Sequence, residues 1–355
     1  MTDEPPAART VSDRTIREMT RHLEPDWRIE TIERSSHGTD LVAVLDVGTP
    51  DGIRQVVLKA ATADWADPET VRAEARLLSL VGRETTVPVP RVLGTCDEHE
   101  EYPAPFTLTS YVDGENYEGR AADLPVEIRE RVFREAGRNL AALHDLGSLS
   151  HVGGIGVRDD GLAVLDTEDS PASDDFHDWL LASYEDTLDD LLEGGYFPHL
   201  ADDPRRFADL VPDLRRYLRE TVPTLPEPDP PTYCHKDYRY GNLLLDPETG
   251  ETRAVLDWGL VVAAPPAFNL ASTESLLALD SDGPARTDRL RRTLRSAYAA
   301  TRDDWTFGED TRERLRVYHL ACRLDAMACL PLWYPDEDER EERAAAHRAF
   351  VSEYL

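Results

Sequence analysis

Lysine is nearly absent from this chain of 355 residues: of 39 basic side chains only Lys59 and Lys236 are lysines. Acids number 70, and the formal charge of −31 is spread along the whole length. Surfaces that grip a nucleic-acid backbone or an anionic leaflet need clustered Lys and Arg, so neither is expected as a partner. Cysteine is scarce too. Cys96, Cys234, Cys322 and Cys329 form no C-x-x-C pair, which argues against zinc and against a disulfide framework. No charged-then-apolar leader and no run of about 18 apolar residues is present, so a soluble, cytoplasmic protein is expected. Dense negative charge destabilises a compact state at low salt, whereas at molar salt the Debye length is only about 3 Å. The composition is therefore of halophilic type, suited to a salt-saturated cytoplasm.

Against this background one stretch carries chemistry. Cys234-His235-Lys236-Asp237-Tyr238-Arg239-Tyr240-Gly241-Asn242 is followed by Asp257-Trp258-Gly259. The pattern is that of a phosphoryl-transfer loop, in which an Asp accepts the hydroxyl proton, an Asn five positions further along holds a metal, and a second Asp holds it again. Asp237, Asn242 and Asp257 occupy those places. Tyr233 and Cys234 read as the end of a strand, 242–246 as its resumption, 247–250 as a turn and 253–256 as the returning arm. Such a hairpin brings Asn242 and Asp257 side by side. Mg²⁺ takes hard oxygen ligands at about 2.0–2.1 Å and keeps waters, so one amide, one carboxylate and nucleotide phosphates would satisfy it. His235 is expected to prop the loop, and Lys236 either approaches the γ-phosphate or faces solvent.

The other lysine lies in the β-rich run Arg54–Ala60, where a kinase needs a cation for the α- and β-phosphates. Retention of Lys59 in a chain that has all but abandoned lysine marks it. Its expected partner is Glu74, in the middle of a helix opened by Pro68, beside the apolar stripe of Val71, Ala75, Leu78 and Val81. Glu69, in the first turn, is accounted for by the helix dipole.

Taken together these residues resemble the aminoglycoside phosphotransferase and choline kinase superfamily of small-molecule kinases. The resemblance extends to Val87–Gly94, to Leu108–Gly114 at the interlobe hinge and to Leu140–His144 ending a long helix, and spans about residues 30–275. It implies ATP and Mg²⁺ as cofactors, the hinge backbone at Ser110 and Val112 for the adenine, and the segment 35–39, with Ser36 and Gly38, over the phosphates. The chain departs from the superfamily pattern at Gly259, where Glu is common, and at Asn269, where Asp is common, which leaves open what pins the segment 259–271.

The implied fold class is α+β: a bilobal, protein-kinase-like fold with a small antiparallel β N-lobe carrying one main helix and a larger, mostly helical C-lobe. Boundaries are expected at 1–25 for an amphipathic helical extension, 26–112 for the nucleotide-binding lobe and 113–355 for the catalytic lobe. Strands are read at 27–34, 41–47, 53–60, 91–96 and 106–112. Beyond Gly114 the periodicity is helical, with further helices at 268–280, 284–300, 308–330 and 336–355. The expected activity moves the γ-phosphate of ATP to a hydroxyl of a small-molecule acceptor of aminoglycoside, amino-alcohol or sugar type. The alternative is a nucleotide-binding pseudokinase or sensor. Acidic clusters such as Asp174–Asp190 read as solvated faces and His144 as a satisfied structural histidine; Trp258, Trp305, Trp333 and Tyr334 are available to cage a choline-type cation, although large aromatics near helices are more often core.

Overall fold

The computed structural model describes residues 11–35, 40–50, 52–62, 68–167, 171–279, 284–302 and 304–355. In chain order the first elements are α1 (Asp13–Leu23), β1 (Arg28–Arg34), β2 (Leu41–Thr49), β3 (Gly52–Ala60), α2 (Pro68–Glu84), β4 (Val92–Cys96), β5 (Phe106–Ser110), α3 (Val126–His144), β6 (Gly153–Arg158) and β7 (Gly161–Val164). There follow α4 (Phe176–Glu193), α5 (Val211–Thr221), β8 (Thr232–His235), β9 (Leu243–Leu245), β10 (Thr252–Val255), β11 (Val261–Ala264), α6 (Pro266–Leu277), α7 (Pro284–Thr301), α8 (Glu309–Ala328), α9 (Leu330–Trp333) and α10 (Glu337–Val351). The chain divides into two compact units. The first comprises 1–135, 154–165 and 239–261, the second 136–153, 166–238 and 262–355.

The first unit is built on an antiparallel sheet of order β1-β2-β3-β5-β4. Side chains alternate across a strand, so Ala43, Leu45 and Val47 of β2, Val56, Leu58 and Ala60 of β3, and Phe106 and Leu108 of β5 share one face and bury it. Each fully buried large side chain there is worth about 1.5–3 kcal/mol. Ile16 and Met19 of α1, with Val11 and Trp27, complete this cluster, and the Ser12 hydroxyl caps the helix by accepting from Thr15 N–H. Alternation also puts Lys59 on the sheet face opposite Leu58 and Ala60. The expected hairpin is present as β9–β10, with Val255 paired to Leu243. Asp246 ties its turn, accepting from the Glu248 and Thr249 amides and from Arg253.

Helical periodicity beyond Gly114 missed a second hairpin. β6 and β7 pair from Ile155–Val164 to Arg158–Gly161, in a segment whose glycines depress strand propensity. Gly156 has a packing reason, since a Cβ there would come within 2.5 Å of Leu165.

The second unit is mostly helical. Every residue of α6 but Leu276 is buried, as expected of a helix apolar or satisfied on all sides; it packs on α8 and β8. Phe176, Trp179, Phe268 and Tyr318 form an aromatic cluster among α4, α6 and α8. The acids of α4 are engaged at its surface: Asp175 caps the helix, and Glu185 and Asp189 accept from Arg215 at 2.8 and 2.5 Å.

Candidate active site

In the first unit the three residues singled out for charge meet directly. Lys59 comes from β3, Glu74 from the second turn of α2 and Asp257 from the second residue after β10. The Lys59 ammonium lies 2.9 and 2.8 Å from the two Glu74 oxygens and 2.9 Å from Asp257 Oδ1. Burial alone would lower this ammonium, but the charges of Glu74 and Asp257 outweigh it and hold Lys59 above its ordinary pKa. Burial pushes the Glu74 carboxyl up, against the pull of Lys59 and with the push of Asp257; the Trp258 amide also donates to it. The side chains of Lys59 and Asp257 remain 27% and 41% exposed.

Asp257 adopts φ 59°, ψ 71°, the left-handed region that L residues enter at a cost of about 1–2 kcal/mol. The flanking residue holds it there: Trp258 is buried, and its indole N–H donates to Val255 O at 3.0 Å. Asn242 lies at the other end of the hairpin. Its carbonyl accepts from Leu256 N–H at 2.8 Å, and its own amide donates to Arg239 O at 2.9 Å. The hairpin mouth thus brings Asn242 within one residue of Asp257. An amide oxygen and a carboxylate are hard donors of the kind Mg²⁺ prefers, so these two side chains fit that ion.

The segment 239–242 has braces that spacing did not reveal. Asn116 Nδ2 donates to Gly241 O at 2.5 Å, and Glu118 pairs with Arg239. A Cβ on Gly241 would meet Glu118 Oε2 at 2.3 Å, so a larger residue there would push the Glu118–Arg239 pair aside. Glu115 bonds Leu245 through both backbone groups, at 2.8 and 2.9 Å. The only sequence signal for Asn116 and Glu118 was their position just beyond the hinge.

Asp237 belongs to the second unit, two residues beyond β8. The backbone leading to it is clamped by α6: Asn269 Nδ2 donates to His235 O at 2.9 Å and Ser272 Oγ to Lys236 O at 2.7 Å. Tyr238 OH, just after Asp237, accepts from Asn139 at 2.9 Å. Asn269 also places Oδ1 3.0 Å from His144 Nε2, while His144 Nδ1 lies 2.7 Å from Tyr298 OH. The amide orientation follows, because His235 O only accepts; His144 Nε2 therefore donates to Asn269, and Tyr298 OH donates to Nδ1 while accepting from Arg302 at 3.0 Å. Burial drives the His144 pKa down to about 3, so it is a neutral structural histidine, as its place in the sequence suggested. What pins the stretch around 269 is thus Asn269 itself, through His144 and the loop.

Of the remaining expected residues, Ser110 ends β5 with its N–H donating to Arg91 O at 2.8 Å and its Oγ accepting from Arg91 N–H at 2.9 Å. Val112 follows, half-buried. Ser36 and Gly38 lie outside the described residues. Cys234 is buried with its thiol on Ala264 O at 3.1 Å, and the four cysteines are free thiols. Among the described residues no helix is long and apolar enough to cross a membrane.

The sequence model of the phosphotransferase enzyme family, APH, matches residues 32–318. The chain belongs to this family. It is a small-molecule phosphotransferase, in agreement with the resemblance read from its motifs. No curated protein matches it. Solved structures share the fold: APH(2'')-IIia with GDP and kanamycin at 14% identity, covering 96% of this chain and 99% of that one with a TM-score of 0.59; the Plasmodium vivax ethanolamine kinase at 11%, 96% and 89%, with 0.58; and a microcompartment-associated aminopropanol kinase at 16%, 94% and 94%, with 0.55. The fold is accordingly α+β and protein-kinase-like.

Proposed function

We propose that this protein moves the γ-phosphoryl group of ATP to a hydroxyl of a small molecule of aminoglycoside, amino-alcohol or sugar type, with Mg²⁺ as the metal. The observation that carries the reading is the Lys59 ammonium held between Glu74 and Asp257, a cation fixed in place beside a carboxylate of the Asp-Trp-Gly motif. Lys59 neutralises charge on the α- and β-phosphates, and Glu74, itself held by the Trp258 amide, fixes its direction. Asn242 and Asp257 would hold Mg²⁺, which supplies charge neutralisation at the phosphate oxygens. Asp237 accepts or orients the acceptor hydroxyl. Backbone groups at Ser110 and Val112 are assigned to the adenine, and the segment with Ser36 and Gly38 to the phosphates. Because phosphoryl transfer passes through a loose transition state, positioning and electrostatics supply most of the acceleration. The acceptor classes rest on the fold shared with a kanamycin-bound structure, an ethanolamine kinase and an aminopropanol kinase.

The test is ADP release at high salt with Mg-ATP over a panel of aminoglycosides, amino-alcohols and sugars, beside a Mg-ATP thermal shift. Turnover on one acceptor class, abolished by Asp257→Ala with the melting temperature kept, is expected. Nucleotide binding without turnover on any acceptor would point to a sensor instead.

A further inference from the structure

The residue immediately ahead of Asp237 has no part in the chemistry above, yet it is the second of the two lysines. In the second unit the Lys236 ammonium lies 3.4 Å from Asp325 Oδ2 on α8, with the two side chains 34% and 22% exposed. Asp325 is the centre of a polar cluster. Tyr196 OH donates to its Oδ1 at 2.9 Å and Tyr184 OH to its Oδ2 at 3.4 Å, while Thr187 Oγ1 lies 2.9 Å from the Tyr196 hydroxyl. The turn that presents Tyr196 is locked to the end of α8. Tyr196 N–H donates to Ala328 O at 3.0 Å, and Gly195, at φ +79°, lies so close that a Cβ would meet the same oxygen at 2.3 Å.

Holding a lysine in one conformation forfeits the rotamer entropy of a long side chain, and this chain uses arginine almost everywhere else. An ammonium differs from a guanidinium in being a compact point charge rather than a planar fork, which suits a carboxylate already shared with two phenols. The backbone of the same residue is fixed from the other side by Ser272. Lys236 is thus anchored at its carbonyl by α6 and at its side chain by α8. The charge of Asp325 raises the Lys236 pKa above its ordinary value despite burial, so the lysine stays an ammonium. An ammonium with its own counter-ion brings little net field to a phosphate.

We propose that Lys236 is a positioning residue: its ion pair with Asp325 fixes the backbone that aims the Asp237 carboxylate. This rests on the reading of Asp237 as the group that orients the acceptor hydroxyl. The experiment compares wild type, Lys236→Met, Lys236→Arg, Asp325→Asn and the Met/Asn double variant at high salt. A carboxylate displaced by an ångström can cost about 100-fold, so each neutral single variant is expected to lose roughly 10- to 100-fold in kcat with the nucleotide KM within about twofold. The double variant should be no worse than the poorer single one, and Lys236→Arg, which keeps the charge but spreads it over a planar fork, should recover only part of the rate. A raised nucleotide KM with kcat intact, or losses that simply add, overturns the proposal in favour of a phosphate contact. Hydrogen exchange of the 235–239 amides gives a second readout that needs no turnover. Both neutral variants should speed it by a common factor, and unchanged exchange in both overturns the tie. If Mg-ATP binds but nothing is phosphorylated, the kinase reading fails while the exchange rates still decide whether the ion pair holds the loop.

Discussion

Each unit of the molecule withdraws a glutamate from water among charged partners, and the two do so to opposite effect. In the first unit Glu74 and Asp257 share the single Lys59 ammonium. This group is partly open, with the Lys59 and Asp257 side chains in reach of solvent. In the second unit Glu274 of α6 is wholly buried and receives Arg295 Nε and Nη2, each at 2.7 Å, and His319 Nε2 at 3.0 Å, with Arg291 at 3.8 Å. Burial would raise its carboxyl, but the His319 and Arg295 hydrogen bonds hold it down to about 2. His319 is satisfied in turn by Ser275 at 3.0 Å. A closed, bidentate and fully partnered group serves the fold; an open group whose Asp257 carboxylate still reaches solvent is the one the proposed function assigns to a metal ion and phosphates.

The sharpest way to break this contrast is to remove the cation from one group and the anion from the other. Lys59→Ala is expected to lower turnover by about three orders of magnitude, the size seen when one preorganised electrostatic contact is removed, with the melting temperature little changed. Glu274→Gln should do the reverse. Stripping the charge from a buried pair leaves Arg295 uncompensated and costs about 3–5 kcal/mol, read as a lower denaturation midpoint at high salt, while kcat of the folded fraction stays near wild type. A Glu274 variant as stable as wild type, or a Lys59 variant that unfolds, would erase the distinction.

The first group was legible in the sequence and the second was not, for a physical reason. Lys59 stood out because lysine is rare, Glu74 because it sits mid-helix beside an apolar stripe, and Asp257 because a hairpin returns it to Asn242. Each of these is a local signal: strand alternation, helical period or turn chemistry. Glu274 is one of 70 acids, and its partners Arg295 and His319 are brought to it only by the packing of α6, α7 and α8. The same holds for Asn269. Its replacement of the usual Asp was visible, but its bonds to His235 O and His144 Nε2 depend on where three elements meet. The β6–β7 hairpin escaped because its glycines, demanded by contacts such as Gly156 with Leu165, erase the composition that marks a strand.

Salt acts differently on the two groups and on the surface between charges. With a formal charge of −31, exposed carboxylates repel over a Debye length of about 30 Å at 0.01 M but only about 3 Å at 1 M. Buried pairs are screened far less. Desalting is therefore expected to unfold the protein through its surface, and the loss should appear equally in wild type and in Glu274→Gln. A melting temperature unchanged between dilute buffer and several-molar KCl would defeat the halophilic reading.

The smallest effect expected concerns protons. Burial holds His144 and His347 down to about 3, and Glu274 is held down to about 2. In each case the unfolded chain binds a proton at a higher pH than the folded one does. Stability therefore falls as pH drops, first from about 6.5 towards 3 as the unfolded histidines charge, then from about 4.5 towards 2 through Glu274. His144→Gln removes one of these sites and keeps a side chain able to donate to Asn269. In high-salt buffer its melting temperature should thus be somewhat lower than wild type at pH 8, because the Tyr298 contact is weakened, yet fall less steeply between pH 6.5 and 4. Parallel curves for the two proteins would mean that His144 titrates alike in both states, and that the neutral link between α3, α6 and the loop before Asp237 has been misassigned.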